Sequence, residues 1–241
     1  MANSIQVDRL SAGYGSVRVL EGISLSVNDG ETVTLLGANG NGKSTLMKCI
    51  MGIVRPSAGR ITAVIEGVEH DLAGMAPEDI VDLGIVLVPE GRRLFARLTV
   101  EENLLLGAYR RTARSAIARN LAFCFETFPV LAERRAQLAG SMSGGEQQML
   151  TVARTLMGNP RLVLLDEPSE GVAPLIVEQM AAMIVELKKQ GLSVLLSEQN
   201  VPFAAAVCDR AYVLEKGQVR FAGTMAELHA DEAVRRQYLT V

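Results

Sequence analysis

A glycine-rich segment between Gly37 and Thr45, GANGNGKST, has the residue types and spacing of a loop that binds nucleotide phosphates. Glycine tolerates positive φ and lets several backbone N–H groups approach one anion closely. Lys43 would place a positive charge against the outer phosphates, and Ser44 would offer a hydroxyl to Mg²⁺. The apolar run at 33–36 predicts a strand before the loop. The residues after it predict a helix whose N-terminus adds to the anion site.

Two acidic residues, Asp166 and Glu167, follow the apolar run Val163–Leu165. Such a run is typical of a parallel strand covered on both faces, and its carboxyl end would share the sheet edge with the glycine-rich loop. Acids at a strand end can simply be solvated. Behind a phosphate-binding loop, however, they are the expected Mg²⁺ partner and a candidate base for an attacking water.

Three further segments carry weaker signals. Tyr14 lies between Gly13 and Gly15, which predicts a tight turn exposing a ring that either caps a sheet or stacks on a nucleobase. Glu90 follows the apolar run 84–88, at the end of a predicted strand where ligands bind in open α/β sheets. Ser143-Gly144-Gly145-Glu146 predicts a helix N-terminus that either binds an anion or is an ordinary N-cap.

The bulk composition limits the class of protein. The chain has 241 residues, of which 49% are hydrophobic, a net charge of −3 and a pI of about 5.6. This length suits one domain or a domain with a subdomain, and the acidic balance does not favour a nucleic-acid partner. Three widely separated cysteines indicate core thiols in a reducing compartment without a zinc site. With no signal-peptide pattern and no apolar run of spanning length, we expect a soluble, cytoplasmic chain.

Hydrophobic periodicity and turn residues give the element order. The predicted strands lie at 5–9, 17–27, 33–36, 60–66, 84–88, 161–168, 192–196, 210–215 and 218–222. The predicted helices lie from Lys43 onward, at 77–83, within 99–128, from Ser143 to Met157, at 174–190 and in a polar tail at 224–241. In the 99–128 block, Thr99 with Glu102 predicts a capping box, and a second helix at 112–126 is predicted to stop at Pro129.

In this order the segments resemble the ATP-binding subunit of an ABC transporter over essentially the whole chain. Tyr14 matches the adenine-stacking position, 37–45 matches Walker A, 143–147 matches the signature usually written LSGGQ, and 162–167 matches Walker B. The resemblance implies an α/β fold of the P-loop NTPase type, with a RecA-like core and an antiparallel β subdomain. It also implies one nucleotide-binding domain, 1–241, with an inserted α-helical signature subdomain at approximately 92–157.

Three positions depart from the general family pattern. Glu90 stands where most members have glutamine, 170–174 stands where most have S-A-L-D, and Gln199 stands where most have histidine. The stretches 89–95, 167–174 and 197–200 resemble the LivF-type subunit of branched-chain amino acid importers, whose relatives handle other amino acids, amides or urea. We therefore interpret the departures as sequence features of a subgroup that still hydrolyses ATP.

The resemblance implies that ATP is held between the loop of one subunit and the signature of another, so that closure and opening drive membrane subunits. It implies catalytic roles for Glu167 and Gln199, and Mg²⁺ contacts for Ser44, Glu90 and Asp166. The implied ATP-binding residues are Tyr14, Gly37, Ala38, Asn39, Gly40, Asn41, Gly42, Lys43, Ser44, Thr45, Ser143, Gly144, Gly145 and Glu146.

The implied partners are two transmembrane permease subunits, a second ATPase of the LivG type or another copy of the chain, and indirectly a periplasmic or extracellular solute-binding protein. No nucleic-acid partner is expected, and the implied location is the cytoplasmic face of the inner membrane. Alternatives remain: an ATPase for urea or amide import, an ATPase for a lipid exporter, a soluble ABC ATPase acting on ribosomes or DNA, and a regulator that binds ATP without hydrolysing it.

Overall fold

The computed structural model describes residues 3–91 and 93–239. Arg92, which belongs to the 89–95 stretch and begins the predicted helical subdomain, lies outside the described residues, as do the last two residues of the predicted helical tail. The strands are β1 Ser4–Tyr14, β2 Val17–Val27, β3 Thr32–Leu36, β4 Ala58–Ile65, β5 Val68–Asp71, β6 Ile85–Val88, β7 Leu162–Asp166, β8 Ser193–Glu198, β9 Arg210–Glu215 and β10 Gln218–Thr224. The helices are α1 Lys43–Ile50, α2 Pro77–Leu83, α3 Val100–Gly107, α4 Arg111–Arg114, α5 Ile117–Thr127, α6 Pro129–Glu133, α7 Gly144–Leu156, α8 Pro174–Lys189, α9 Val201–Val207, α10 Met225–Ala230 and α11 Glu232–Tyr238.

The larger sheet has the strand order β10-β9-β3-β8-β7-β6. Its neighbours from β9 to β6 run parallel, and β10 joins antiparallel at one edge. Every residue of β3 and β7 is buried, as expected for parallel strands covered on both faces. The carboxyl ends of β3, β7 and β8 therefore meet along one edge of the sheet.

The smaller sheet is antiparallel, with the order β2-β1-β4-β5. The helix α1 packs beneath it, and one hydrophobic core joins its residues Leu46 and Ile50 to this sheet and to Leu162 and Leu164 of β7. The alternate residues of β7, Val163 and Leu165, face a second core that is formed with helices. The larger sheet thus separates two apolar layers.

Between β6 and β7 the chain is helical. Helix α3 packs on α7, and α5 packs on α6 and α7, around buried residues such as Phe128 and Leu131. These layers confirm the predicted α/β fold of the P-loop type with an antiparallel β part and an inserted helical part. The boundary of a subdomain at approximately 92–157 stays a prediction.

The structure corrects four local predictions. Tyr14 is the last residue of β1, paired with Val17, so the turn falls at 15–16 and not around the tyrosine. The predicted helix 112–126 is split into α4 and α5. Pro129 occupies the first turn of α6, where its missing N–H costs nothing, so it starts a helix as well as ending one.

The fourth correction concerns two missed elements, the strand β5 and the helix α9. β5 pairs antiparallel with β4 across a turn at Glu66 and Gly67, both of which have positive φ. In contrast, the predicted cysteine environment is confirmed, because Cys49, Cys124 and Cys208 are free and buried. Among residues 3–91 and 93–239, no helix combines the length and the apolar character needed to cross a bilayer.

Candidate functional site

The glycine-rich loop connects the end of β3 to the start of α1, as the sequence predicts. Gly42 has φ 99°, and a Cβ there would lie 2.6 Å from a Leu20 methyl carbon. A Cβ on Gly37 would lie 2.4 Å from the carbonyl oxygen of Leu214. Glycine is therefore needed at both positions to close the loop. Within the described residues no side chain caps α1, so its first N–H groups point toward the loop without a capping partner.

The loop is tied to its surroundings by Asn41, whose Oδ1 accepts a hydrogen bond of 3.1 Å from the N–H of Lys216 in the turn between β9 and β10. Ala38, Asn39 and Gly40 are exposed at the tip of the loop, and Thr45 is buried in α1. The loop therefore offers its tip to solvent while both of its ends are fixed to the fold.

Lys43 is buried, with 3% of its side chain exposed, and its Nζ is fully engaged. It donates to the carbonyl oxygens of Gly37 at 2.6 Å and Ala38 at 3.1 Å. It also forms an ion pair of 2.9 Å with Oε1 of Glu167, which is equally buried. The two residues with the strongest predicted chemistry are therefore in direct contact.

Glu167 follows β7 in an uncommon backbone conformation, with φ 47°. Its N–H donates to both the hydroxyl and the carbonyl oxygen of Ser197 at 3.1 Å. Its second carboxylate oxygen accepts from Nε2 of Gln199 at 2.8 Å, and the same Nε2 lies 2.9 Å from Oδ1 of Asn39. Gln199 thus joins the tip of the glycine-rich loop to the acid after β7.

Asp166 lies beside the loop on the same sheet edge. Its Oδ1 accepts hydrogen bonds from the Ser44 hydroxyl at 3.1 Å and the Ser197 hydroxyl at 2.6 Å. A carboxylate and a serine hydroxyl in contact are the oxygen donors that Mg²⁺ uses in nucleotide sites. The pair therefore has the right chemistry to hold Mg²⁺ together with phosphate oxygens.

Sequence reasoning missed Glu198, the last residue of β8, which is 2% exposed. Its Oε1 accepts from the N–H of Ser169 at 3.0 Å, and its Oε2 accepts from the N–H groups of Gln199 and Asn200 at 3.1 Å. Burial raises the pKa of Glu198, while these hydrogen bonds act in the opposite direction. Its position at the end of an apolar strand, beside Gln199, was the available signal.

Glu90 lies at the same edge and is exposed. With Gln148, Glu167 and Glu170 it lines a small open pocket. The pKa of Glu170 is raised, first by burial and then by the negative charges of Glu167 and Glu90. Glu90 is therefore near the predicted Mg²⁺ site, although the structure gives it no contact with Ser44 or Asp166.

The signature segment forms the predicted helix start on α7. Ser143 and Glu146 make a capping box in which Ser143 Oγ accepts from the Glu146 N–H at 3.4 Å and Glu146 Oε2 accepts from the Ser143 N–H at 2.9 Å. Oε1 of Glu146 also pairs with Arg134 at 3.0 Å. Among the described residues, no hydrogen bond joins Ser143, Glu146 or the glycines between them to the glycine-rich loop.

Among the described residues, Tyr14 likewise makes no hydrogen bond to the loop. It ends β1 with 49% of its surface exposed, so its ring is accessible from solvent. The structure therefore brings Lys43, Ser44, Asp166, Glu167 and Gln199 together at one sheet edge. Tyr14 and Ser143 of the signature are exposed and, among the described residues, are not hydrogen-bonded to this group.

Comparison with known proteins agrees with this geometry. A family model described as "ABC transporter" matches residues 20–170. The chain is similar to the crystal structure of a nucleotide-free ATP-binding cassette from an ABC transporter, with a TM-score of 0.84, 26% identity and coverage of 96% of this chain and 97% of that one.

Two curated relatives are similar over nearly their whole length. The high-affinity branched-chain amino acid transport ATP-binding protein BraG of Pseudomonas aeruginosa is 45% identical, over 98% of this chain and 99% of BraG. The lipopolysaccharide export system ATP-binding protein LptB of Escherichia coli is 37% identical, over 98% of this chain and 97% of LptB.

Proposed function

The chain belongs to the ABC transporter family, and from that premise we propose that it is the ATP-hydrolysing subunit of an importer for branched-chain or related amino acids. The observation that carries the proposal is the contact network at the sheet edge. It joins Lys43, Glu167 and Gln199 in one group and Ser44 to Asp166 in another. A loop that only bound nucleotide would not need a buried carboxylate aimed at its lysine.

In the proposed reaction, the loop N–H groups and the N-terminus of α1 bind the triphosphate of ATP. Lys43 exchanges its ion pair with Glu167 for contacts to the outer phosphates. Glu167, released from Lys43 but still hydrogen-bonded to Gln199, orients the attacking water and accepts its proton. The neutral amide of Gln199 would donate a hydrogen bond to the γ-phosphate in the position where most members use histidine.

Ser44 and Asp166 would hold Mg²⁺, which when bound neutralises part of the phosphate charge. Glu90 is the weaker candidate for this role because it lies toward Glu167 and Glu170 in its pocket. Ser143, which is exposed at the start of α7, and the exposed Tyr14 suit a different task. A second subunit placed head to tail would bring its signature onto ATP bound at this loop, while Tyr14 would stack on the adenine.

Partner binding is supported by an exposed apolar groove. Ile53, Phe95, Leu106 and Tyr109 are each between 44% and 59% exposed, and they line one continuous groove between the end of α1 and α3. Exposed apolar patches of this kind mark interaction sites. We propose that one permease subunit docks here and so recruits the chain to the cytoplasmic face of the membrane. A solute-binding protein would act only through the permease.

The test is co-purification of tagged Glu167→Gln chain from native membranes with ATP and Mg²⁺, read by mass spectrometry. We expect two multi-span proteins and a related ATPase of the LivG type. Recovery of the multi-span proteins without a second ATPase would indicate a homodimer. Tyr109→Glu should abolish recovery of the multi-span proteins without loss of ATP binding. Val68→Glu, at a similarly exposed position on β5, is the matched control and should leave recovery unchanged.

The solute class is tested by uptake into membrane vesicles that contain the assembled complex. Radiolabelled leucine uptake that requires intact Lys43 supports the proposal, whereas uptake of urea or an amide instead favours the alternative importer. Because of the similarity to LptB, a lipid exporter is a specific rival. Recovery of lipopolysaccharide-handling partners would contradict the importer. Recovery of ribosomal or nucleic-acid proteins without membrane subunits would favour a soluble ABC ATPase.

A further inference from the structure

A buried carboxylate connects the two loops that carry the proposed water-activating groups. Glu198 ends β8 with 2% of its surface exposed, and it makes no ion pair among the described residues. Placing a charge in the interior without a cation costs stability, unless hydrogen-bond donors surround it. Three backbone N–H groups, those of Ser169, Gln199 and Asn200, provide such donors.

These bonds are divided between two segments of the chain. Oε2 binds the two residues directly after β8, whereas Oε1 reaches across to Ser169, which is 29 positions away and two residues beyond Glu167. Capping of the adjacent helix α9 cannot explain the bond between Oε1 and the distant Ser169. The start of α9 is capped separately by the Asn200 side chain, whose Oδ1 accepts from the Phe203 N–H at 3.0 Å.

The consequence concerns the position of Gln199. Its side-chain Nε2 lies 2.8 Å from Glu167 Oε2, and its backbone N–H is held by Glu198. Glu198 also binds the N–H of Ser169, in the segment after Glu167. It therefore ties together the two segments that carry the donor and the acceptor of the Gln199–Glu167 hydrogen bond. Neither loop can shift without stretching a bond to the same carboxylate.

We propose that Glu198 is a positioning residue that sets Gln199 against Glu167 for water activation. The inference rests on the proposed ATP hydrolysis, but both carboxylate oxygens of Glu198 are occupied by backbone N–H groups of the chain. Its effect on turnover therefore passes through the hydrogen bond between Gln199 and Glu167. This dependence separates it from a residue that only stabilises the fold.

The experiment is a double-mutant cycle in the chain assembled with its partner subunits, with kcat, KM for ATP and Tm measured for each variant. Glu198→Ala should lower kcat by up to about 10²-fold, the scale of a small misplacement of catalytic groups, and leave KM within about 3-fold. In a Gln199→Ala background the same substitution should change kcat by less than about 2-fold, because the hydrogen bond it positions is already absent.

Glu198→Gln provides a second variant of nearly the same shape in case the alanine variant does not fold. The glutamine has one acceptor oxygen, which can bind one of the two loops but not both. We therefore expect a smaller loss of kcat than for Glu198→Ala, and no loss in the Gln199→Ala background. Ser193→Ala is the matched control. Ser193 is buried at the other end of β8, where its hydroxyl binds the carbonyl oxygens of Asn3 and Asn28. The control should lower Tm without a change in kcat.

The proposal is overturned if the fold losses in kcat from the Glu198 and Gln199 substitutions multiply in the double variant. It is also overturned if Ser193→Ala lowers kcat as much as Glu198→Ala does at the same loss of Tm. These results would leave the proposed function intact, since the wild-type complex still hydrolyses ATP. Absence of hydrolysis in the wild-type complex would instead overturn both proposals, so the two failures are distinguishable.

Discussion

Lys43 and Glu167 form a buried ion pair in which each residue is the main charge partner of the other. Removing one member of such a pair leaves an uncompensated charge in the interior, which is more costly than removing both. Lys43 would keep two carbonyl acceptors if Glu167 were neutral, whereas the Glu167 carboxylate without Lys43 would keep, among residues 3–91 and 93–239, a single side-chain donor, the Gln199 amide. The two substitutions are therefore not equivalent for stability.

We predict that Lys43→Met lowers the free energy of unfolding of the nucleotide-free chain by about 3–5 kcal/mol. Adding Glu167→Gln should recover much of this loss, because the neutral amide can still accept from Gln199. Urea unfolding of the four chains in the cycle measures the effect. Lys189→Met is the control: it removes an exposed pair with Glu186 and should cost less than about 1 kcal/mol.

The coupling between Lys43 and Glu167 is contradicted if the variant with both substitutions has the same free energy of unfolding as Lys43→Met alone. That result would mean that Lys43 stabilises the loop through Gly37 and Ala38, with no coupling to Glu167. The sequence predicted the roles of Lys43 and Glu167 separately, from the loop pattern and from the strand end. It predicted the shared sheet edge but not the direct contact, because the contact depends on the strand order, in which a single strand, β8, separates β3 from β7.

At the scale of elements, helix α7 begins with a reciprocal cap that uses the signature residues themselves. The carboxylate of Glu146 is bound to the Ser143 N–H and to Arg134. We therefore interpret Glu146 as shaping the helix start, while the exposed Ser143 is the residue that we propose to meet ATP. The usual glutamine at this position would make the same cap.

We predict that Glu146→Ala destabilises the chain by about 1 kcal/mol, the usual cost of losing a helix cap. Glu146→Gln should stay within about 0.5 kcal/mol of wild type, since an amide oxygen replaces the carboxylate in the cap and the pair with Arg134 is partly exposed. Urea unfolding tests both variants. Equal loss from alanine and glutamine would show that the ion pair, and not the cap, stabilises this end of α7.

The elements that sequence reasoning placed well are those with a strong periodic signal. β3 and β7 are unbroken apolar runs, and Thr99 with Glu102 forms the predicted capping box. β5 was missed because Val68–Asp71 exposes nearly every residue and has no apolar face to show. The break between α4 and α5 carries neither glycine nor proline. Glu198 was missed because its partner Ser169 is distant along the chain.

At the scale of the whole molecule, the three cysteines report on both hydrophobic layers. Cys49 lies in the core that includes α1, whereas Cys124 and Cys208 lie in the core formed with the helices. Burial raises the pKa of Cys49 and of Cys124 to about 12, and it also raises the pKa of Cys208. Since the thiolate is the reactive form, all three should be inert in the folded protein.

We predict that iodoacetamide at pH 8 labels none of the three thiols in native protein, and that all three react in the urea range of global unfolding. Mass spectrometry of pulse-labelled samples checks this outcome. Ala182→Cys, at an exposed position on α8, is the control and should react at once. Labelling of one core before the other would show that the two layers unfold separately, against the cooperative behaviour expected when both share one sheet.

The ion pair between Lys43 and Glu167 also bears on the order in which a complex is built. Glu167 neutralises the charge of Lys43 in the nucleotide-free chain. Lys43 therefore does not need the phosphates of ATP as its counter-ion. We infer that the chain can fold without a nucleotide. ATP is then not needed before the chain meets the permease subunits proposed above.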